Sequence, residues 1–207
     1  MHKVNPQIAI FASGQGSNAE ALMDAFERKE IPAALAMVLS NQASAPVIEK
    51  AKARGYAVCV VPHKDLSRED HEAQILDALS DAGIDHVILA GYMRILTPHF
   101  LNGFKERCGG HILNIHPSLL PEFPGLHAVE RQWEARVQNA GATVHVVTPE
   151  VDAGPIIAQA SLKVAGDEGA QELGRRIREE IEHSLYPRAV RLFLEQLDAP
   201  GTTEDTP

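Results

Sequence analysis

The chain has 207 residues, 44% hydrophobic and 23% charged, with a formal net charge of −9. Such values fit one α/β domain with a full core and exclude disorder for the bulk of the chain. An acidic surface argues against general binding to nucleic acid or anionic membranes, but it leaves room for a small anionic ligand in a local cradle.

Cys59 and Cys108 lie far apart and neither belongs to a C-x-x-C, which argues against a disulfide scaffold or a Cys-based zinc site and fits a reduced cytoplasm. The apolar run at residues 8–12 is too short for a signal peptide or a membrane span. The expectation is a cytoplasmic protein.

In chain order, residues 7–12 read as a buried strand that runs into Ser13-Gly14-Gln15-Gly16-Ser17-Asn18. A helix follows over about 19–29, with Leu22, Met23 and Phe26 on its apolar side. Residues 33–39 are a second strand, 45–54 a helix stopped by Gly55, and 57–61 a third strand. Ser67 with Asp70 three residues on starts a helix with Ile75 and Leu79 inside, ended by Gly83. Residues 86–90 are a fourth strand, followed by the segment 91–96 and Pro98.

Ile112, Leu113 and Ile115 open a fifth strand, and prolines at 117, 121 and 124 then forbid regular structure. Residues 129–138 read as a helix broken by Gly141, 142–148 as an alternating strand, 149–154 as a loop and 155–164 as the last strand. Asp167 is placed as the cap of a final helix with Leu173, Ile177, Ile181 and Leu185 inward, and Pro187 is expected to kink or end it. The expected organisation is a single catalytic domain over 1–198 with a disordered tail at 199–207.

The strand–helix alternation gives the class: α/β, a three-layer, mostly parallel twisted sheet, Rossmann-like, with helices on both faces. Ligands of such sheets sit beyond the carboxyl ends of the strands. The segments at 13–18, 91–96 and 114–118 should therefore converge.

Three constellations carry chemistry. Asn114 and His116 are two apart on a strand, so they share a face. An amide there can hold a developing oxyanion beside an imidazole whose ordinary pKa is ~6.5. Read alone, the pair is equally a buried histidine next to a strand-end asparagine; the stiff proline-rich segment after it favours the functional reading. The 13–18 loop lets backbone N–H groups approach an anion at a helix N-terminus. It is neither a Walker A loop nor a G-x-G-x-x-G, and it suits a single phosphomonoester; otherwise it is a tight turn capped by Ser17 or Asn18.

Asp152 is either an Asx-turn residue or a carboxylate brought near His116, where it would favour the cationic ring and take up a relayed proton. Residues 92–96 are either a binding pocket built from Met93, Ile95 and Leu96 with Arg94 at its rim, or packing beneath a turn. None of the ten histidines has a zinc-binding spacing. His145 shares a strand side with Thr143 and is assigned to the core or to the shell behind the site.

Taken together these residues resemble the phosphoribosylglycinamide formyltransferases, folate-dependent enzymes of purine biosynthesis. The resemblance runs over residues 8–193 and rests on five motifs in order. They are Ser13-Gly14-x-Gly16-Ser17-Asn18, the run from Ala90 to Leu96, Asn114-Ile115-His116-Pro117 through His127, Gly141-x-Thr143-Val144-His145, and Val151-Asp152-x-Gly154-Pro155. It implies the formyltransferase fold and transfer of the formyl group of 10-formyltetrahydrofolate to the amine of glycinamide ribonucleotide, with no metal.

It further implies Asn114, His116 and Asp152 as the catalytic trio, Gly16, Ser17 and Asn18 as the phosphate cradle, and Glu182 on the ribose hydroxyls. The folate would meet Met93, Arg94, Ile95, Leu96, Asn114, Val147 and Asp152, with Arg68 near its glutamate tail. These small molecules are the implied partners, with a monomer or homodimer acting alone. Two departures stand out: a long connection at 101–113 to which no element is assigned, and Glu179 where some members carry a basic or neutral residue.

Formyltetrahydrofolate hydrolase would carry a regulatory domain before the first strand and a different segment after Asn-Ile-His. Methionyl-tRNA formyltransferase would need a basic RNA-binding surface. A non-catalytic folate- or nucleotide-binding protein on the same scaffold would be expected to lose one of Asn114, His116 and Asp152, all of which are present.

Overall fold

Alternation along the first strand sets the architecture. Strand β1 (Gln7–Phe11) sends Ile8 and Ile10 to one face and Ala9 and Phe11 to the other, and all four are buried. A strand covered on both faces belongs in the middle of a parallel sheet. A computed structural model describes residues 5–198 and places β1 there. The expected tail at 199–207 lies outside the described residues.

The chain continues through α1 (Ser17–Glu27), β2 (Ala34–Ser40), α2 (Pro46–Ala53), β3 (Val58–Val60), α3 (Arg68–Asp81) and β4 (His86–Leu89). Then come α4 (Pro98–Cys108), β5 (Ile112–His116), α5 (Ala128–Glu134), β6 (Asn139–Val146), β7 (Ile156–Lys163) and α6 (Ala170–Arg176). A π-helical segment, Ile177–Glu182, joins α6 to α7 (His183–Asp198). The seven strands run in the order β3-β2-β1-β4-β5-β6-β7; β1 to β5 are parallel, and β6 and β7 are antiparallel.

Strand order reverses between β1 and β4, and the crevice outside their carboxyl ends is where such sheets bind ligands. One core packs Ile8, Ile10, Leu22, Met23, Tyr186 and Phe193 on one face of the sheet. The other packs Phe11, Ile75, Leu79, Phe100 and Phe104 on the opposite face. Phe100 and Phe104 lie one helical turn apart and are fully buried, so truncating either to alanine should cost about 3–5 kcal/mol. Among the described residues no helix is long and apolar enough to cross a membrane.

Four features differ from the sequence reading. The 101–113 connection is largely helix α4: the Thr97 hydroxyl accepts the Phe100 amide N–H at 3.1 Å, Pro98 takes the first turn, and Gly109 closes it with φ 73°. Its exposed polar face hid the pattern, and Leu101 packs toward the core rather than lining the ligand cavity.

Gly141 does not break a helix; it sits inside β6, where a Cβ would meet the Ala160 carbonyl oxygen at 2.1 Å. The last helix is capped by Gly169 and not by Asp167. Pro187 does not end the helix; it lies inside α7 as its fifth residue.

Candidate active site

Strand β5 ends in Asn114-Ile115-His116, and its pleat turns Asn114 and His116 to the same side. The antiparallel register of β6 sets His145 across from Asn114 and Thr143 across from His116. The carboxyl end of β5 is thereby lined by an amide and two imidazoles, both imidazoles buried.

Asp152 arrives from the turn between β6 and β7. Gly154 lets that turn lie on β6, since a Cβ there would stand 1.8 Å from the Val146 carbonyl oxygen. Asp152 has φ 54°, a left-handed conformation that a short polar side chain tolerates. Its Oδ2 lies 3.2 Å from His116 Nδ1 and accepts the Gly125 amide N–H at 2.7 Å, while Oδ1 lies 3.4 Å from His145 Nε2. Burial alone would push the Asp152 carboxyl up. The hydrogen bond with His145, the Gly125 amide and the charge of His116 outweigh it and hold the group below its ordinary value, so the side chain is a carboxylate at neutral pH.

His116 Nε2 lies 2.9 Å from the Phe123 carbonyl oxygen, so both ring nitrogens face acceptors. The proline-rich segment therefore holds His116 itself. Its own supports are the Thr143 hydroxyl donating to the Ser118 carbonyl at 2.7 Å, Gln132 Nε2 donating to the Pro117 carbonyl at 2.7 Å, and Arg131 over the Phe123 ring.

His145 is the group that the sequence reading undervalued. Its Nδ1 faces the Val146 carbonyl at 3.0 Å, and its Nε2 lies 3.3 Å from Asn114 Nδ2 as well as beside Asp152. The signal that places it there is the β5–β6 register, which no tight hairpin turn announces.

A cavity of about 300 Å³ opens over this cluster, lined by Asn114, His116, His145 and Asp152 on its floor. Met93, Arg94, Ile95, Leu96, Val147 and Val151, the last two from the 147–152 loop, form its walls as the resemblance implies, joined by Leu126, which was not expected. Met93, Ile95, Leu126 and Val151 are each more than half exposed, an apolar rim that a ligand with an apolar face would cover. Arg68 lies outside the lining, yet its Nη2 donates to the Ile95 carbonyl at 3.2 Å.

On the β1 side, Gly16 takes φ 75° and opens α1, and a Cβ there would stand 2.4 Å from Val47 Cγ2. No side chain caps the helix, so the alternative of a turn capped by Ser17 or Asn18 does not hold. Asn18 Nδ2 instead donates to Glu182 Oε2 at 2.7 Å, and Asn18 Oδ1 is buried with no hydrogen-bond partner among the described residues. Glu182 is brought over α1 by the π-helical segment and is 7% exposed; burial pushes its carboxyl up, opposed by the Asn18 bond. Glu179 pairs with Arg175.

The arrangement sets an amide, two imidazoles and a carboxylate on the floor of a largely apolar cavity, with the uncapped N-terminus of α1 following the glycine loop after β1. Residues 6–190 match the family model described as formyl transferase. The phosphoribosylglycinamide formyltransferase of Haemophilus influenzae is 40% identical over 190 residues, covering 91% of this chain and 87% of its own. Among solved structures, glycinamide ribonucleotide transformylase 1 from Symbiobacterium toebii superposes with a TM-score of 0.87 at 41% identity, covering 94% of this chain and 90% of its own. Phosphoribosylglycinamide formyltransferase from Brucella melitensis gives 0.83 at 43% identity, with 98% and 100% covered.

Proposed function

The chain belongs to the formyl transferase family, and from that premise we propose how its residues move a formyl group in purine biosynthesis. The acceptor is the amine of glycinamide ribonucleotide and the donor is 10-formyltetrahydrofolate, handled by residues 1–198 as one catalytic domain in the cytoplasm, as a monomer or homodimer. The observation that carries the residue assignment is the meeting of Asn114, His116 and Asp152 over one cavity, with Asp152 Oδ2 3.2 Å from His116 Nδ1.

The walls fit the donor: the slot is apolar, its rim is exposed, and main-chain groups at 94 and 96 supply polar readers for a flat heterocycle. Arg68, bonded to the Ile95 carbonyl, is assigned to the donor's acidic tail. Gly16, Ser17 and Asn18 offer their N–H groups to the acceptor's phosphate. Glu182 accepts from its ribose hydroxyls, next to an Asn18 oxygen that has no donor among the described residues.

As the acceptor amine bonds to the formyl carbon, the carbonyl electrons pass to oxygen. Asn114 donates an N–H to that oxygen, and His116, cationic between two acceptors, stabilises it by charge. Asp152 holds the ring in place and takes up the proton leaving the new ammonium, so that it can be returned to the departing folate nitrogen. The nitrogen–carbon bond to folate then breaks. The sequence of events uses no metal and no covalent enzyme intermediate. Loss of one such oxyanion donor costs about 3–4 kcal/mol.

Purified protein should form formylated product from 10-formyltetrahydrofolate only when glycinamide ribonucleotide is added. Folate release with water alone would favour a hydrolase, and absence of any turnover would favour a binding protein.

A further inference from the structure

The phosphate loop and the folate wall are different segments of chain, yet one hydroxyl joins them. Ser13, 4% exposed at the end of β1, accepts the Met93 amide N–H on Oγ at 2.8 Å and donates to Asn41 Oδ1 at 2.6 Å. Asn41 is itself buried, and its Nδ2 lies 3.1 Å from His63 Nδ1. Main-chain bonds hold the neighbours: Ser13 N–H donates to the Gly91 carbonyl at 3.1 Å, and Val47 N–H donates to the Gly14 carbonyl at 3.2 Å. These use main-chain groups that any residue but proline supplies at 13. The bonds to Met93 and Asn41 require the side chain.

Gly91 takes φ 76°, so the chain turns sharply away from β4 before it lines the cavity with Met93, Arg94, Ile95 and Leu96. The Ser13 hydroxyl ties that turn down two residues on, and it does so from the first residue of the loop that opens the anion cradle at Gly16. A serine hydroxyl has one hydrogen to give and lone pairs to receive, and here both capacities are used, on the buried Asn41 side chain and the Met93 amide.

We propose that Ser13 is a positioning residue that locks the 91–96 wall to the phosphate loop, so that both substrates bind one rigid frame. The proposal rests on the functional reading above. Asn41 orients the Ser13 hydroxyl through its side-chain oxygen and is in turn held beside His63. Removing the hydroxyl leaves the Met93 N–H and Asn41 Oδ1 unpaired and lets the wall drift from the loop.

The test is Ser13→Ala in the full chain. KM for 10-formyltetrahydrofolate should rise about tenfold and KM for glycinamide ribonucleotide at least about threefold, with kcat falling less than about threefold. In the ligand-free variant the Met93 amide should lose its protection from hydrogen exchange. Wild-type values of both KM with only a lower Tm, or an unchanged Met93 exchange rate, would overturn the proposal, because a merely structural serine moves Tm alone. Where Ser13→Ala does not fold, Ser13→Cys keeps the volume with weaker hydrogen bonds. A smaller rise in KM in the same direction supports the lock, and wild-type KM refutes it. Should the wild-type protein turn over neither substrate, the functional reading falls, and the Met93 exchange comparison still decides whether the lock exists.

Discussion

Asp152 reaches His116 from a left-handed backbone conformation, with Oδ2 3.2 Å from Nδ1, and the Gly125 amide N–H donates a hydrogen bond to the same oxygen. The ring it holds is anchored at Nε2 by the Phe123 carbonyl, from the same loop as Gly125. Carboxylate, ring and loop thus form one unit, and a change at any of the three should be felt by the others.

Replacing His116 with asparagine keeps a hydrogen-bond donor but no group that can carry charge or a proton. Turnover should fall by about 10²–10⁴-fold, the usual range for a general acid–base residue, while Kd for glycinamide ribonucleotide stays within about twofold. Because His116 and Asp152 act as a unit, the double variant H116N/D152N should be no slower than the slower single one. Steady-state kinetics and equilibrium titration check both points, and near-full turnover by H116N would remove His116 from the mechanism.

Asp152→Asn should also change how stability depends on pH. The folded carboxyl is held below its ordinary value, after its neighbours overcome the opposing effect of burial. A depressed acid stabilises the fold above its unfolded pKa, ~3.9 for aspartate, and that stabilisation is lost as pH falls through the lower folded value. The Tm gap between wild type and D152N should therefore be full above ~pH 5 and close as the buffer is taken below ~pH 3. Thermal melts across that range would show it. A gap that widened on acidification would mean that the carboxylate is not stabilised by its neighbours.

Much of this arrangement was legible in the sequence because it follows local periodicity. The i, i+2 spacing of Asn114 and His116 fixes their common face, and the strand-to-helix position of 13–18 fixes the glycine turn that opens α1. Strand–helix alternation gives the mostly parallel sheet, though not the strand order that reverses between β1 and β4.

What local periodicity alone does not place depends on pairings between distant segments. His145 joins the site through an antiparallel register that its own alternation cannot reveal. Asp152 looks like an ordinary turn residue until β6 and β7 are paired beside β5. Glu182 reaches Asn18 from a π-helical segment that helical periodicity does not anticipate, and helix α4 was concealed by its polar outer face despite a legible Thr97-Pro98 start.

Glu182 makes the opposite pH prediction. Burial raises its carboxyl above the ordinary value and the Asn18 bond only partly offsets this. A raised acid weakens the fold at pH above its folded value, and the penalty is relieved as pH falls and the group takes up a proton. Glu182→Gln removes the buried charge and keeps an oxygen for the Asn18 N–H, so its Tm should match or exceed that of wild type at neutral pH, with the difference vanishing in acid. KM for glycinamide ribonucleotide should nevertheless rise about tenfold, because the charged acceptor for the ribose hydroxyls is gone. A stability gain with unchanged KM would take Glu182 out of the binding site.

Gly16→Ala probes the cradle with the smallest possible change. At φ 75° an alanine costs about 1–2 kcal/mol in backbone conformation, and its Cβ would stand 2.4 Å from Val47 Cγ2, so either the loop or α2 must move. Movement of the loop tilts the Ser17 and Asn18 N–H groups away from the anion. The variant should lose stability and bind inorganic phosphate and glycinamide ribonucleotide about tenfold or more weakly, while binding a folate analogue nearly as wild type does. Adding Val47→Ala should relieve the side-chain clash and recover part of the Tm but not the backbone strain. The double variant should therefore regain stability sooner than it regains phosphate affinity, which paired thermal melts and calorimetric titrations would separate. Wild-type phosphate affinity in the single variant would place the anion elsewhere.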